Sequence, residues 1–283
     1  MNVNDVLHVP TVRFVPFRQD NILPVFDASF RVMDPGLRIS VASAFYPTVA
    51  GICQNIFDQS AFTERASLDK TYNSKGISDL VEGKIDIFVT YSSKDDQEAM
   101  RKALGKFECV PLFQESLAVL VNKKNPVRDI TYSQLKGIYE GKYVNWIDVG
   151  GFDKVIRTFQ LGEGNVSRLG FLDGIKSGTP INLPQSEIET MPELVDTVAD
   201  DECAIGNIFW PYYARMYANK QTRYLKIDGN APSSSEYPIK FPICLHYDGT
   251  NPKRQLHEMV EYLRTDEGRR LTELAHQSER VVE

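Results

Sequence analysis

The chain has 283 residues, of which 42% are hydrophobic and 25% charged, enough apolar material for one large or two medium domains. Its formal net charge is −6 and no block of like charge stands out, which argues against nucleic acid and anionic membrane surfaces as partners. No apolar run approaches the roughly 20 residues of a membrane span and no signal peptide is visible, so we expect a soluble chain, with any targeting or anchor segment upstream.

Strand and helix patterns alternate through the first part of the chain. Residues 1–36 are rich in Pro, Asn and Asp and are expected to form an extended N-terminal segment. The elements predicted after it are a strand over 38–41, a helix whose inner face runs from Val49 to Phe57, a helix over 73–81 stopped by Gly83, a strand over 85–89 and a loop over 90–93. This alternation predicts an α/β architecture.

A complete strand-to-helix transition stands near the middle of the chain. Leu117–Val121 is a continuous aliphatic run, typical of a strand buried on both faces, and Asn125-Pro126 ends it. Thr131 is a helix N-cap whose capping box is completed by Gln134, and Gly141 is expected to end that helix.

The second half continues the same alternation. The predicted elements are strands over 155–159, 203–209 and 224–227, a turn over 162–168 leading into a helix, a loop over 177–188, helices over 192–199 and 211–217, an extended run over 237–247 and a helical region over 253–275.

The cysteines and histidines give no sign of metal chemistry. Cys53, Cys109, Cys203 and Cys244 form no CxxC pair and are expected to be buried thiols. The four histidines show no HxxxH or HxH spacing. The sequence therefore predicts neither a metal site nor a cofactor.

An ordered set of short segments carries a family resemblance across nearly the whole chain. In chain order they are Pro16–Asn21, Asn125-Pro126-Val127, Gln134, Ile138-Tyr139, Asn145-Trp146, Val149-Gly150-Gly151, Ala204-Ile205-Gly206, Lys226-Ile227-Asp228-Gly229, Tyr237-Pro238-Ile239 and Glu267-Gly268. In these segments the chain resembles the phosphate-binding proteins of ABC importers. No single segment is specific, whereas the ordered set is.

The resemblance implies the two-lobed type II periplasmic-binding-protein fold, in which each lobe is a mixed sheet flanked by helices and a two-strand hinge joins the lobes. Lobe one would comprise residues 37–116 and 237–283, and lobe two residues 117–236, after the N-terminal segment 1–36. The ligand would lie in the interlobe cleft, near the carboxyl ends of the strands.

The resemblance also implies four ligand-binding loops. The first three supply Ser43 and Ala44, Asn73 and Ser74, and Thr90 and Ser92, and the fourth supplies Asn165, Ser167 and Arg168. In this fold, helix N-termini, small hydroxyl residues and one arginine hold a dehydrated oxyanion.

The fourth loop departs most from the family pattern. Leu161 stands where the family has its clamp arginine, Asn165 where it has its first serine, and Val166 where it has a glycine that lets the backbone approach the ligand. Hydrogen bonds to a charged group contribute about 1.5–3 kcal/mol each, so losing the arginine and two donors would weaken binding by about 4–8 kcal/mol. Arg157 or Arg168 would then have to supply the positive charge.

Several of these residues also have purely structural interpretations. Ser43, Asn73 and Ser167 are candidates for helix N-caps, and Arg168 for a solvated surface residue. Structural roles alone are expected for the packing anchor Trp146 and for the strand-end residue Asp86.

The function implied by the resemblance is that of an extracytoplasmic, monomeric solute-binding protein, delivering phosphate or another small oxyanion to a membrane transporter or sensor with altered or weakened affinity. The alternative is a scaffold that has lost its small-molecule site and acts as a protein-interaction or sensor module. An enzyme is not expected, because the chain contains no GxSxG, SxxK or HExxH motif.

Overall fold

Residues 6–63, 67–162, 165–175 and 187–277 are described by a computed structural model. Within these ranges the strands are β1 (Val6–His8), β2 (Ile39–Ala42), β3 (Leu68–Thr71), β4 (Ile87–Thr90), β5 (Phe107–Asn122), β6 (Asp129–Ile130), β7 (Arg157–Thr158), β8 (Gln160–Leu161), β9 (Glu187–Ile188), β10 (Ala204–Phe209), β11 (Tyr217–Asn219), β12 (Thr222–Tyr224), β13 (Lys226–Ile227) and β14 (Lys240–Asp248). The helices are α1 (Tyr46–Ile56), α2 (Asn73–Val81), α3 (Lys94–Ala103), α4 (Tyr132–Tyr139), α5 (Val166–Ile175), α6 (Met191–Asp200), α7 (Trp210–Arg215), α8 (Arg254–Arg264) and α9 (Asp266–Gln277).

These elements form two compact units. The flanking unit takes residues 10–114 and 242–277, and the middle unit takes residues 6–9 and 115–241. The chain passes between the units within β5 and again within β14. No helix in the described ranges is long and apolar enough to span a membrane.

The flanking unit is built on a parallel three-strand arrangement. β2 lies between β3 and β4 and runs parallel to both, with Val41 opposite Lys70 on one side and Val89 on the other. β14 then pairs antiparallel with β4. All four residues of β2 and of β4 are buried, as expected for strands covered on both faces.

Close packing in the flanking unit requires a glycine beneath Phe88. A Cβ atom on Gly76 of α2 would lie 2.2 Å from the Phe88 ring, which no real contact allows. The absence of a side chain therefore lets α2 pack directly on β4, where Phe88, Leu80 and Met100 form a buried cluster.

The middle unit centres on β10, which pairs antiparallel with β5 and parallel with β7. Three short pairings accompany it, namely β1 with β11, β6 with β13, and β8 with β9. The core packs α6 and α7 residues against β10, with Leu194, Val198, Ile208 and Trp210 among its members.

The helix predicted around residues 131–141 is confirmed with its end signals. Thr131 and Gln134 form the capping box of α4, and Gly141 adopts a positive φ of 74°. Trp146 is confirmed as a packing anchor, since it is fully buried and donates from Nε1 to the Cys203 carbonyl at 2.9 Å.

Several predicted elements need correction. The loop expected over 90–93 leads into α3, a helix that was not predicted, and the strand expected over 224–227 is divided between β12 and β13. The helix expected over 211–217 ends at Arg215, because Tyr217 joins β11 and pairs with His8. Most of the loop expected over 177–188 lies outside the described residues.

Candidate functional site

Six of the predicted ligand-binding residues lie at one edge of the flanking-unit sheet. Because β3, β2 and β4 are parallel, their carboxyl ends meet at that edge. Ser43 and Ala44 follow β2, Asn73 and Ser74 open α2 just after β3, and Thr90 ends β4 two residues before Ser92. We call this set of six residues the strand-end cluster.

Two helices begin at this edge without a side-chain cap. α1 and α2 have no capping hydrogen bond from a described side chain and no acidic residue in their first turns. No acidic side chain of either first turn therefore offsets the positive end of its helix dipole, an arrangement suited to an anion. α3 differs, because Ser93 and Asp96 form a capping box at its start.

Two buried polar side chains of the strand-end cluster, Thr90 and Asn73, bind each other, and Asn73 also contacts the half-buried Asp96. The Thr90 hydroxyl lies 2.8 Å from Asn73 Oδ1, and Asn73 Nδ2 contacts Asp96 Oδ2 at 3.4 Å. Asn73 is thus the first residue of α2 rather than its N-cap, which is Tyr72, and the N-cap interpretation of Asn73 is wrong. The amide instead ties α2 to the end of β4.

Ser92 has a different partner, the fully buried His246 of β14. The Ser92 hydroxyl lies 2.9 Å from His246 Nε2, and His246 Nδ1 lies 3.2 Å from the Phe88 carbonyl. Since a carbonyl can only accept, Nδ1 carries the hydrogen in the neutral ring and Ser92 donates to Nε2.

Only part of the strand-end cluster reaches solvent. Ser74 is exposed and Ser43 is half-buried, whereas Asn73, Thr90 and Ser92 are buried. Ser43 opens the short 3₁₀ helix Ser43–Phe45, whose N-cap is Ala42, so the N-cap interpretation of Ser43 is also wrong.

The predicted residues of the fourth loop lie in the middle unit and serve the start of α5. Asn165 Oδ1 accepts from the Ser167 backbone N–H at 2.9 Å, and the Asn165 carbonyl accepts from Leu169 N–H. Asn165 therefore caps the start of α5, and the N-cap interpretation of Ser167 is wrong. Arg168 is 5% exposed and contacts the Leu161 carbonyl at 3.3 Å, so the expectation of a solvated arginine is wrong.

Leu161 points into the core of the middle unit. Its side chain is 1% exposed and belongs to the cluster formed with Leu194 and Val198. Arg157 does not supply the missing charge, because it pairs with Asp201 at 3.4 Å. It lines a depression of about 740 Å³ in which Lys154 is likewise paired with Glu202.

Asp86 is structural, as predicted. Its carboxylate contacts Arg38 Nη2 at 3.0 Å and Lys253 Nζ at 2.7 Å, and the Arg38 backbone N–H donates to it at 2.8 Å. Burial alone would raise the pKa of Asp86, but the hydrogen bonds from Arg38 and Lys253 outweigh it and hold the pKa below its ordinary value.

A cluster that the sequence did not reveal lies beside Ser92. The sulfur atoms of Cys109 and Cys244 and a ring nitrogen of His246 all lie within 4.8 Å of one another. The hydrogen bond from the Cys244 thiol lowers the pKa of Cys109 to about 5 against the opposing effect of burial. The same bond, together with burial, raises the pKa of Cys244.

Cys109 also corrects the expectation of four buried thiols, because it is only partly buried, unlike Cys53, Cys203 and Cys244. Sequence reasoning missed the cluster because its two cysteines lie on β5 and β14, far apart in the chain. The spacing Cys244-x-His246 on one strand was the only local signal, since alternate residues of a strand share a face.

The chain is similar in sequence to a known protein family. Residues 33–258 match the PBP superfamily domain. The phosphate-binding protein PstS of Bacillus subtilis is 26% identical over 213 residues, which cover 72% of this chain and 67% of that protein.

Two solved structures share the fold. A putative phosphate ABC transporter substrate-binding protein from Clostridium perfringens, solved with bound phosphate, has a TM-score of 0.65 and 20% identity, covering 87% of this chain and 99% of that one. An ABC-type phosphate transport receptor from Vibrio cholerae has a TM-score of 0.61 and 19% identity, covering 84% and 98%. The predicted α/β fold of the type II periplasmic binding proteins is confirmed.

Proposed function

The chain belongs to the PBP superfamily, and we propose that it is a solute-binding protein that takes a small oxyanion, with phosphate as the first candidate. The resemblance to phosphate-binding proteins predicted from the sequence is confirmed by the curated relatives, whose names describe binding proteins rather than enzymes. Binding by this chain is the proposal.

The observation that carries the proposal is the strand-end cluster of the flanking unit. Two helices begin there without side-chain caps or first-turn acidic residues, and the Ser74 side chain is exposed beside one of them. Backbone N–H groups at helix N-termini and a nearby hydroxyl are the donors that a tetrahedral oxyanion requires.

We further propose that the affinity is weaker than in relatives that carry the clamp arginine. The Leu161 side chain is buried in the core of the middle unit. The Asn165 side chain accepts a hydrogen bond from the Ser167 backbone N–H in α5. Arg168 contacts the Leu161 carbonyl. Because the fourth loop lacks the arginine and two hydrogen-bond donors of the family pattern, a micromolar phosphate site would become millimolar or weaker.

The alternative function, a scaffold without a small-molecule site, is favoured by one feature of the strand-end cluster. Thr90 and Asn73 are buried and bound to each other, and Ser92 is buried and bound to His246, so three of the six residues are engaged within the protein. The proposed setting is the same for both functions: an extracytoplasmic monomer that meets a membrane transporter or sensor.

Calorimetric titration of phosphate-free protein with phosphate tests the proposal. We expect one-to-one binding with a Kd of about a millimolar or weaker. Micromolar binding would contradict the weakened site, and no binding of any anion from a panel of phosphate, sulfate and carboxylates would favour the scaffold.

A matched pair of variants tests the location of the site. Ser74→Ala removes an exposed hydroxyl from the first turn of α2 and should weaken binding by about tenfold or more, since hydrogen bonds to charged groups contribute about 1.5–3 kcal/mol. Ser78→Ala, also exposed on α2 but one turn further from the edge, should leave binding unchanged. Equal effects of the two variants would place the ligand elsewhere.

A further inference from the structure

We propose that Cys109, Cys244 and His246 form a binding site for a zinc ion in the flanking unit. This inference is independent of oxyanion binding and departs from the sequence-based expectation that the chain holds no metal. Its basis is geometric, because the three donor atoms lie within 4.8 Å of one another.

The donor set selects the type of metal. Two cysteine sulfurs and one imidazole nitrogen are soft and borderline ligands, which suit zinc and disfavour magnesium or calcium. In a zinc site the metal lies about 2.3 Å from each sulfur and about 2.0 Å from the nitrogen. Donors that already lie within 4.8 Å of one another need only small side-chain movements to reach such distances.

The setting of each ligand fits a site with one open position. Cys244 and His246 are buried on β14 and are held by the sheet, whereas Cys109 on β5 is partly exposed. The partial exposure of Cys109 gives a metal ion access to the donors, and a water molecule would serve as the fourth ligand of a tetrahedral ion.

The surroundings of His246 supply the outer contacts that metal-bound histidines commonly have. Its ring nitrogens contact the Ser92 hydroxyl and the Phe88 carbonyl, and Phe107 stacks on the ring. Zinc would replace one of the two oxygen contacts and keep the other, which then orients the ring as an N–H acceptor.

The two cysteine sulfurs are already close neighbours in the absence of zinc. Cysteine binds zinc as a thiolate, so binding of the metal should release thiol protons into solvent.

The test is zinc binding by the full-length, reduced and chelator-treated protein in phosphate-free buffer, measured by competition with a chromophoric chelator. We expect one zinc ion per chain and, after replacement by Co²⁺, a thiolate-to-cobalt charge-transfer absorption band. Cys109→Ser and Cys244→Ser should each weaken zinc binding by more than the 10–100-fold typical of outer contacts and abolish or shift the cobalt band.

Cys203→Ser is the matched control, because Cys203 is a free cysteine of the middle unit. It should retain one zinc ion and an unchanged cobalt band. Circular dichroism verifies that each variant is folded, and Cys109→Ser carries the most weight because Cys109 is the least buried ligand. The proposal is overturned if the reduced protein binds no zinc, if Cys109→Ser binds it as tightly as the parent, or if Cys203→Ser loses it equally.

Discussion

Asp86 shows how one side chain can hold distant parts of the sequence together. Its carboxylate joins Arg38 at the start of β2 to Lys253 just before α8, and Lys253 also donates to the Gly36 carbonyl. The Asp86 side chain is 2% exposed, whereas those of Arg38 and Lys253 are 40% and 27% exposed, so two partly solvated cations neutralise one buried carboxylate. The sequence predicted a structural role for Asp86, but its partners depend on the three-dimensional fold.

Removal of this charge should destabilise the protein at neutral pH. Asp86→Asn removes the negative charge that Arg38 and Lys253 share, and breaking a buried ion pair typically costs about 3–5 kcal/mol. Urea unfolding measures the loss. Asp20→Asn is the control, because the Arg18–Asp20 pair is exposed to solvent and should contribute little to stability. Equal losses in the two variants would contradict the role of Asp86.

The pH dependence of the same variant has a definite sign. Because the folded-state pKa of Asp86 is lowered, its stabilisation is fully present above the ordinary aspartate pKa of about 3.9 and is lost as pH falls through the folded-state value. The stability difference between the parent and Asp86→Asn should therefore shrink on acidification through that range. A difference that grows there would contradict the lowered pKa.

The burial of Leu161 can be tested by replacing it with arginine. Leu161→Arg restores the residue type that the family pattern has at this position, yet the structure places it in the core of the middle unit. A buried unpaired charge should destabilise the protein by about 3–5 kcal/mol without improving phosphate binding. Leu161→Met should lose less than about 1.5 kcal/mol. A stable Leu161→Arg variant with increased phosphate affinity would show that this side chain faces a ligand.

Helix ends were predicted where their residue signals are local. The Thr131–Gln134 capping box begins α4 as expected. Gly83 and Gly141, both with positive φ, follow the ends of α2 and α4 as expected. The capping box Ser93–Asp96 carries the same local signal, but α3 has a polar sequence with a single buried residue, Met100, so hydrophobic periodicity did not reveal it. Patterns that depend on pairing, such as the division between β12 and β13, could not be derived from local residues.

The N-cap of α3 should contribute measurably to the stability of the protein. Ser93→Ala removes the acceptor of the Asp96 backbone N–H, now bound at 3.1 Å, and should destabilise the protein by about 1 kcal/mol. Chemical denaturation measures the loss, and hydrogen exchange should accelerate in the first turn of α3. Ser93→Asp keeps a capping acceptor and should remain within a few tenths of a kcal/mol of the parent. A fully stable Ser93→Ala variant would contradict the capping role.

For the whole molecule, the sequence was informative about fold class and much less so about the candidate site. The ordered segments identified the family because each reflects a turn, cap or packed residue of a shared fold. Which side chains become buried was not predictable, since Arg168 and Leu161 acquire their surroundings from β8, α5 and the core of the middle unit. The cysteine–histidine cluster was missed for the same reason, because β5 and β14 bring it together.

The division of the flanking unit between both ends of the sequence has a consequence for biosynthesis. During translation, residues 115–241 of the middle unit emerge from the ribosome before the segment 242–277 of the flanking unit. Until then β4 lacks its neighbour β14, and α1 lacks α9, whose Ala275 lies against Gly51. The flanking unit therefore cannot be completed until residues 242–277 have been translated. A message truncated before codon 242 would yield a polypeptide with one completed unit and one that a protease could digest.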